Sequence, residues 1–284
     1  MQSFKPYTLN LRGRLLDIDH PQVMGIINVT PDSFFGDSRV ANRDSVIKRA
    51  QQMIEDGADM IDIGGYSSRP GASDVPPLEE TERVLLGIEA IRTINNEIPI
   101  SIDTFRASVA EAAINAGANI INDISGGNLD SEMFATIAKL NVPYILMHMR
   151  GTPTNMQTLT EYNNLSADII YDLASKINTL RLAGVSDIIV DPGFGFSKTL
   201  EQNYELLANL PSLSDALKCP LLIGISRKSM ITKPLAIAPE EALNGTTTIN
   251  TIALLNGASI LRVHDVKEAQ QAIKLCHLYN KHKI

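Results

Sequence analysis

The sequence predicts a (β/α)8 barrel, a TIM barrel formed as a single domain over residues 1–284. Three observations predict it. Short apolar runs alternate with amphipathic helical patterns from one end of the chain to the other. Eight such strand-then-helix units fit within the 284 residues. A glycine and a small residue recur just before the next run, at Gly57-Ala58-Asp59, Gly117-Ala118-Asn119 and Gly257-Ala258-Ser259, and more loosely at Gly184-Val185-Ser186. Glycine accepts the left-handed backbone that ends a helix at little cost, so these are helix-to-strand corners. An open, doubly wound sheet alternates in the same way. No GxGxxG follows the first run, so a dinucleotide-binding version of that sheet has no support.

Residues 1–22 precede the first run and read as an N-terminal extension, a hairpin closing the lower end of the barrel. The runs are then Val23–Asn28, Met60–Ile63, Ile98–Asp103, Asn119–Asp123, Val142–His148, Ile188–Asp191, Pro220–Ser226 and Ser259–His264. Each is short, and turn residues bound most of them, as expected for strands buried on both faces. Between them, Thr81, Val84, Leu85, Ile88 and Ile91 step by three and four, a helical stripe. Pro76-Pro77 precede it and Glu79-Glu80 lie near its start, as a helix N-terminus favours. Leu165, Ile169, Leu173, Ile177 and Leu180 form a second stripe, and Val266, Ala269, Ile273 and Cys276 a third.

Composition narrows the function. The chain carries 25 Lys and Arg against 32 Asp and Glu, a net charge of −7. That argues against a nucleic-acid surface, which needs clustered cations. Cys219 and Cys276 have no metal-site spacing and read as small buried hydrophobes. No apolar run reaches membrane-spanning length, and the N-terminus has no secretory pattern, so no membrane partner and a cytoplasmic location are expected.

The chemistry is expected at the strand tips, because barrels carry their sites at the C-terminal ends of the strands. Those tips read Asn28, Asp62, Asp103, Asn122 with Asp123, His148, Asp191, Ser226-Arg227-Lys228, and Arg262 with His264. Asp103, Asn122 and Asp191 suit a flat heterocycle with adjacent N–H donors, since a carboxylate accepts two parallel bonds. Lys228, Arg262 and His264 offer cationic or protonatable groups on the last two strands, where barrels often hold phosphate. Asp123 should point away if Asn122 points in. Asp62 is left open between a site role and the orientation of loop backbone, and His148 reads as a supporting group. Two long loops, 30–39 and 64–71, overhang this mouth and read as lids.

The residues together resemble dihydropteroate synthases. The matching stretches are MGIINVTPDSFF at 24–35, DIGGYSSRPGA at 62–72, SIDT at 101–104, INDI at 121–124, LMHMRGTP at 146–153, DPGFGF at 191–196, SRKS at 226–229 and RVHDV at 262–266. The resemblance implies condensation of 6-hydroxymethyl-7,8-dihydropterin diphosphate with 4-aminobenzoate, giving 7,8-dihydropteroate and diphosphate in folate biosynthesis. It implies Mg2+ as cofactor, a homodimer and small-molecule partners only. It assigns Asp103, Asn122, Asp191 and Lys228 to the pterin, with Met147, Gly224 and Phe196 as its apolar walls. It assigns Asn28 to Mg2+, and Arg262 and His264 to the diphosphate. Ser68, Arg69 and Pro70, with Phe34 and Ser229, would shape the aminobenzoate site. Lys228, Asp103 and Arg262 would carry the catalysis.

Two departures stand out. The family usually has Glu-Ser-Thr-Arg-Pro where this chain has Tyr66-Ser67-Ser68-Arg69-Pro70, and Phe-Ser-Asp-Gly-Gly where it has Phe34-Phe35-Gly36-Asp37-Ser38. A serine keeps the threonine hydroxyl, whereas Tyr66 removes an acid beside the aminobenzoate side. The mechanism expected is a dissociative displacement: leaving diphosphate meets Mg2+, Arg69, Arg262 and His264, and Asp103 favours a cationic pterin. Two rival functions share the fold. A folate–corrinoid methyltransferase module would need the acidic and amide tips but not the SRKS and RVH cations, and a non-catalytic paralogue would bind pterin without turnover.

Overall fold

The computed structural model describes residues 4–29, 39–66 and 75–282. All eight expected strands are present, as β3 (Gln22–Asn28), β4 (Met60–Gly64), β5 (Ile100–Asp103), β6 (Ile120–Asp123), β7 (Tyr144–Met147), β8 (Ile188–Asp191), β9 (Leu222–Ile223) and β10 (Ile260–Val263). They pair in parallel in the order β8-β7-β6-β5-β4-β3-β10-β9. The ring closes through a single parallel bridge between Val190 and Leu221. Helices α1 (Arg39–Glu55), α2 (Pro77–Ile94), α3 (Ala107–Asn115), α4 (Met133–Leu140), α5 (Leu165–Leu182), α6 (Leu200–Ala208), α7 (Leu210–Leu217), α8 (Ser229–Leu235), α9 (Leu243–Leu255) and α10 (Val266–Lys281) fill the connections. This is the (β/α)8 barrel the alternation predicts.

The helical stripes face inward as expected. Leu165, Ile169, Leu173, Ile177 and Leu180 are all buried on α5, as are Val266, Ala269, Ile273 and Cys276 on α10. Of the α2 stripe, Val84, Ile88 and Ile91 are buried. The corner glycines Gly57, Gly117, Gly184 and Gly257 have φ between +92° and +106°, the region a Cβ disfavours.

Strand alternation explains where the chemistry falls. Met24, Met60, Ile120, Ile145, Ile189, Leu222 and Ile260 form one buried cluster inside the lower barrel. Two residues on, the side chain returns to the same face. Those positions are Ile26, Asp62, Asn122, Met147, Asp191, Gly224 and Arg262. The interior therefore turns from hydrocarbon to polar one layer up, on four of these seven strands within two residues. Residues between these layers, such as Ile61, Ile121, Leu146, Val190 and Leu261, pack outward against the helices.

The N-terminal segment is a hairpin of β1 (Tyr7–Leu11) and β2 (Arg14–Ile18). Leu9 and Leu11 join the lower cluster, so the hairpin stoppers the barrel at the end away from the polar layer. Asn10 N donates to Asp187 Oδ2 at 2.8 Å and ties it in place. Leu9→Ala is expected to lower stability by about 2–5 kcal/mol, the range for truncating a buried leucine. Denaturant unfolding measures that loss, and kcat should stay within about twofold of the parent because the cavity opens at the far end.

Candidate functional site

The polar layer forms one connected cluster. Arg262 lies at its centre, its Nε donating to Asp62 Oδ2 at 2.6 Å and its Nη2 to Asp103 Oδ2 at 2.7 Å. Asn122 Nδ2 donates to the same Asp62 oxygen at 3.1 Å. Asp62 is fully buried, and its other oxygen, Oδ1, has no partner among the described residues. Strand register puts Asn28, Gly64, Asp103 and Asn122 at one level across four adjacent strands. A Cβ on Gly64 would stand 3.2 Å from Asn28 Oδ1 and 3.8 Å from Asp103, so the glycine leaves space between them. Gly224 does the same opposite, 3.7 Å from Asp191 Oδ2 and 4.0 Å from Arg262.

Asp191 is buried at the tip of β8, and its Oδ1 accepts from Gly193 N at 2.7 Å. Lys228 follows β9 and precedes α8. Its Nζ donates to Phe194 O at 2.6 Å and sits 4.7 Å from the centre of the Phe196 ring. Met147 and Phe196 belong to an apolar wall with Ile124, Met149 and Met156. The mouth therefore has a hydrocarbon side, an acidic and amide side, and two cations.

Burial sets the protonation chemistry. It pushes the Asp103 carboxyl up to about 7, against the pull of Arg262 and with added repulsion from Asp62. It raises Asp191 too, with Lys228 opposing it. Burial lowers the Lys228 ammonium to about 8, against the pull of Asp191. Burial works against the charge on Arg262 as well, but the Asp62 and Asp103 carboxylates outweigh it and raise its pKa. The result is a site whose acid and ammonium titrate within reach of neutral pH, a pattern that marks functional clefts.

The structure gathers Asp103, Asn122, Met147, Asp191, Phe196, Gly224, Lys228 and Arg262 as the sequence expects. His264 is expected to grip the diphosphate. Burial, with Arg262 and Arg227 adding to it, lowers its pKa to about 4, so it stands neutral at pH 7. Its Nδ1 lies 3.0 Å from Ser226 Oγ. Arg262, expected to face an anion, spends two of its donor nitrogens on carboxylates. Asp123 points away as expected and takes the Tyr144 hydroxyl at 2.6 Å. Ser68, Arg69, Pro70 and Phe34 lie outside the described residues, as do most of both long loops.

Sequence reasoning underrated Asp62 and missed Lys198. Asp62 occupies the same place on β4, two residues after the inward Met60, that Asn122 occupies on β6 after Ile120. That parity was the available signal. Lys198 is a buried lysine beneath the loop after β8, with no periodic signature of its own.

Comparison with known proteins extends the geometry. Residues 24–264 match the family described as pterin binding enzyme. A dihydropteroate synthase of Clostridium beijerinckii is 46% identical over 256 residues, 89% of this chain and 92% of that protein. That of Escherichia coli K12 is 41% identical over 93% of each chain. Among solved structures, the Yersinia pestis dihydropteroate synthase with a sulfonamide drug superposes with a TM-score of 0.90 at 41% identity, covering 97% of this chain and 100% of that one. The Xanthomonas albilineans enzyme with 4-aminobenzoic acid gives 0.90 at 36% identity, over 98% and 100%.

Proposed function

The chain belongs to the pterin-binding enzyme family, and from that we infer that its barrel mouth is the active site for the dihydropteroate synthase reaction of folate biosynthesis. The carrying observation is the meeting of Asp62, Asp103, Asn122 and Asp191 with Lys228 and Arg262 at one end of one barrel. Asp103, Asn122 and Asp191 present acceptors to the N–H edge of the pterin, while Met147 and Phe196 supply a face for its ring. Lys228 and Arg262 balance the charge that moves onto diphosphate as it leaves the methylene carbon. The aryl amine of aminobenzoate is neutral at pH 7 and attacks without a strong base. No side chain forms a bond to the pterin.

The test is turnover. Pterin diphosphate and 4-aminobenzoate should give 7,8-dihydropteroate and one diphosphate per product. Pterin binding without product would establish the non-catalytic alternative, and a trapped protein–pterin adduct would remove the dissociative mechanism.

Asp103 gives the reading a pH signature. A ring N–H edge prefers the ionised carboxylate, so pterin affinity should rise with pH through about 7 and level off above it. Calorimetric titration from pH 5.5 to 8.5 measures this rise. In Asp103→Asn the affinity should be lower, and the rise through pH 7 should be absent.

Mg2+ is part of the proposal. Asn28 brings an amide oxygen to the rim of the mouth, and no group of three His, Cys, Asp or Glu side chains that could hold a metal occurs among the described residues. A side-chain amide oxygen is a ligand Mg2+ accepts, since that ion keeps waters and binds largely through substrate phosphates. Asn28 would hold the ion, which would add Lewis-acid charge at the diphosphate.

A homodimer is proposed on the exposed apolar residues Leu243 and Ile252 of α9 and Leu275, Leu278 and Tyr279 of α10. Sedimentation at micromolar concentration should give twice the chain mass, and Leu275→Glu with Leu278→Glu should return the monomer. No helix among the described residues is long and apolar enough to cross a membrane, and the proposed location is the cytoplasm.

A further inference from the structure

The loop after β8 is held between two lysine side chains, one in the site and one behind it, and burial lowers the pKa of the second, Lys198, to about 7. In front, Lys228 Nζ donates to Phe194 O. Behind, Lys198 Nζ donates to Gly193 O at 2.9 Å and to Phe196 O at 3.1 Å. It also lies 3.1 Å from His148 Nδ1. Lys198 is 4% exposed. Its three N–H donors match three acceptors, two of them carbonyls of the loop that carries Phe194 and Phe196.

The surroundings leave this loop little latitude. Gly193 has φ +75°, and a Cβ on it would lie 2.0 Å from His148 O and 3.3 Å from Lys198 Nζ. The turn is therefore pressed onto the end of β7, with the lysine tucked beneath. Gly195 N donates to Asn203 Oδ1 at 2.7 Å from the start of α6. Burial, then the charges of Lys198 and of Lys176 and Arg150, keep His148 neutral, so its Nδ1 can serve as an acceptor.

We propose that Lys198 is a positioning residue for the pterin site: from behind the loop it fixes the Gly193 and Phe196 carbonyls and so sets where the Phe194 carbonyl and Phe196 ring hold the Lys228 ammonium. Three site features hang on the same five residues. Gly193 N meets Asp191 Oδ1, Phe194 O meets Lys228, and the Phe196 ring lies beneath Lys228. A shift of the loop displaces all three together. Charge-assisted bonds are short and directional, so a small displacement of a carbonyl weakens them steeply. Lys198 therefore acts on the substrate through Lys228 rather than by contact.

The inference rests on the pterin reading of the mouth, and a double-mutant cycle separates the two. Binding of the pterin diphosphate, without aminobenzoate, is titrated calorimetrically into the parent, Lys198→Met, Lys228→Met and the double variant. Parent protein that does not bind overturns the pterin reading itself. With the parent binding, Lys198→Met is expected to weaken affinity about tenfold, the effect of one misplaced charge-assisted bond. In the Lys228→Met background the same change should alter affinity by less than about twofold. An equal loss in both backgrounds, or an unchanged affinity in Lys198→Met, overturns the positioning role. If Lys198→Met does not fold, His148→Leu and His148→Asn replace it in the cycle. The leucine removes one acceptor of the ammonium and should show the same non-additivity, while the asparagine, which restores an acceptor, should recover most of the affinity. Additive losses, or equal effects of leucine and asparagine, again contradict the proposal.

Discussion

Arg262→Met is expected to reduce turnover by about a thousandfold or more, the scale of removing a charge that stabilises a developing anion. It should also lower stability by about 3–5 kcal/mol, as removal of one partner from a buried ion pair does. Both effects come from the same contacts. Asp62 is fully buried and depends on Arg262 and Asn122 for its hydrogen bonds, while Asp103 gives its Oδ2 to Arg262. Without the guanidinium, two carboxylates face each other in a dry mouth. Asp103, already pushed up to about 7 by burial, loses the cation that opposes that push. An acid whose folded pKa lies above its unfolded value binds more protons when folded, so stability falls as pH rises between the two. The deficit of Arg262→Met should therefore be larger at pH 8 than at pH 5. Denaturant melts at the two pH values measure this, and a deficit independent of pH would contradict the ion-pair account.

Lys228→Met separates activity from stability. The ammonium is buried, which lowers its pKa to about 8, and it is balanced by Asp191 and by the Phe194 carbonyl. Methionine keeps the length of the stem and its packing over Phe196 while removing the charge. kcat/KM is expected to fall by about 10²–10⁴, the range for loss of one aimed donor. The melting temperature should move by only a few degrees, because a burial penalty disappears along with the hydrogen bond. A loss of stability comparable to that of Arg262→Met would mean that Lys228 holds the fold rather than the substrate.

The contrast between these residues shows what was legible in the sequence. All eight strands could be placed because each is a short apolar run that ends in a polar tip, and four of them follow a glycine corner. The period of two inside them was hidden, since strands covered on both faces are apolar at every position. Asn122 and Asp123 could still be separated, because neighbours on a strand point opposite ways. Asp62 needed one further step, which was to count from an inward Met60. Lys198 was out of reach, because its role comes from a side chain folding back under its own loop, and sequence spacing carries no trace of that. The protonation of His264 was not legible either, because it depends first on burial, with Arg262 and Arg227 adding to it. Tyr66 packs edge-on against Phe105 at 5.2 Å, with the Arg106 guanidinium 5.5 Å from its ring. An aromatic contact with the base of the mouth thus stands where the family usually carries an acid.

The most direct measurement is a crystal structure of the protein with pterin diphosphate. The pterin ring is expected inside the upper barrel, its N–H edge within hydrogen-bond distance of Asp191 and Asn122, its face on the Met147 and Phe196 wall, and its diphosphate toward Arg262 and Asn28. Density for the ring anywhere else, such as the cleft between Asp56 and α10 lined by Lys267, Gln270 and Lys274 at the opposite end of the barrel, would contradict the claim that the polar strand tips form the pterin site.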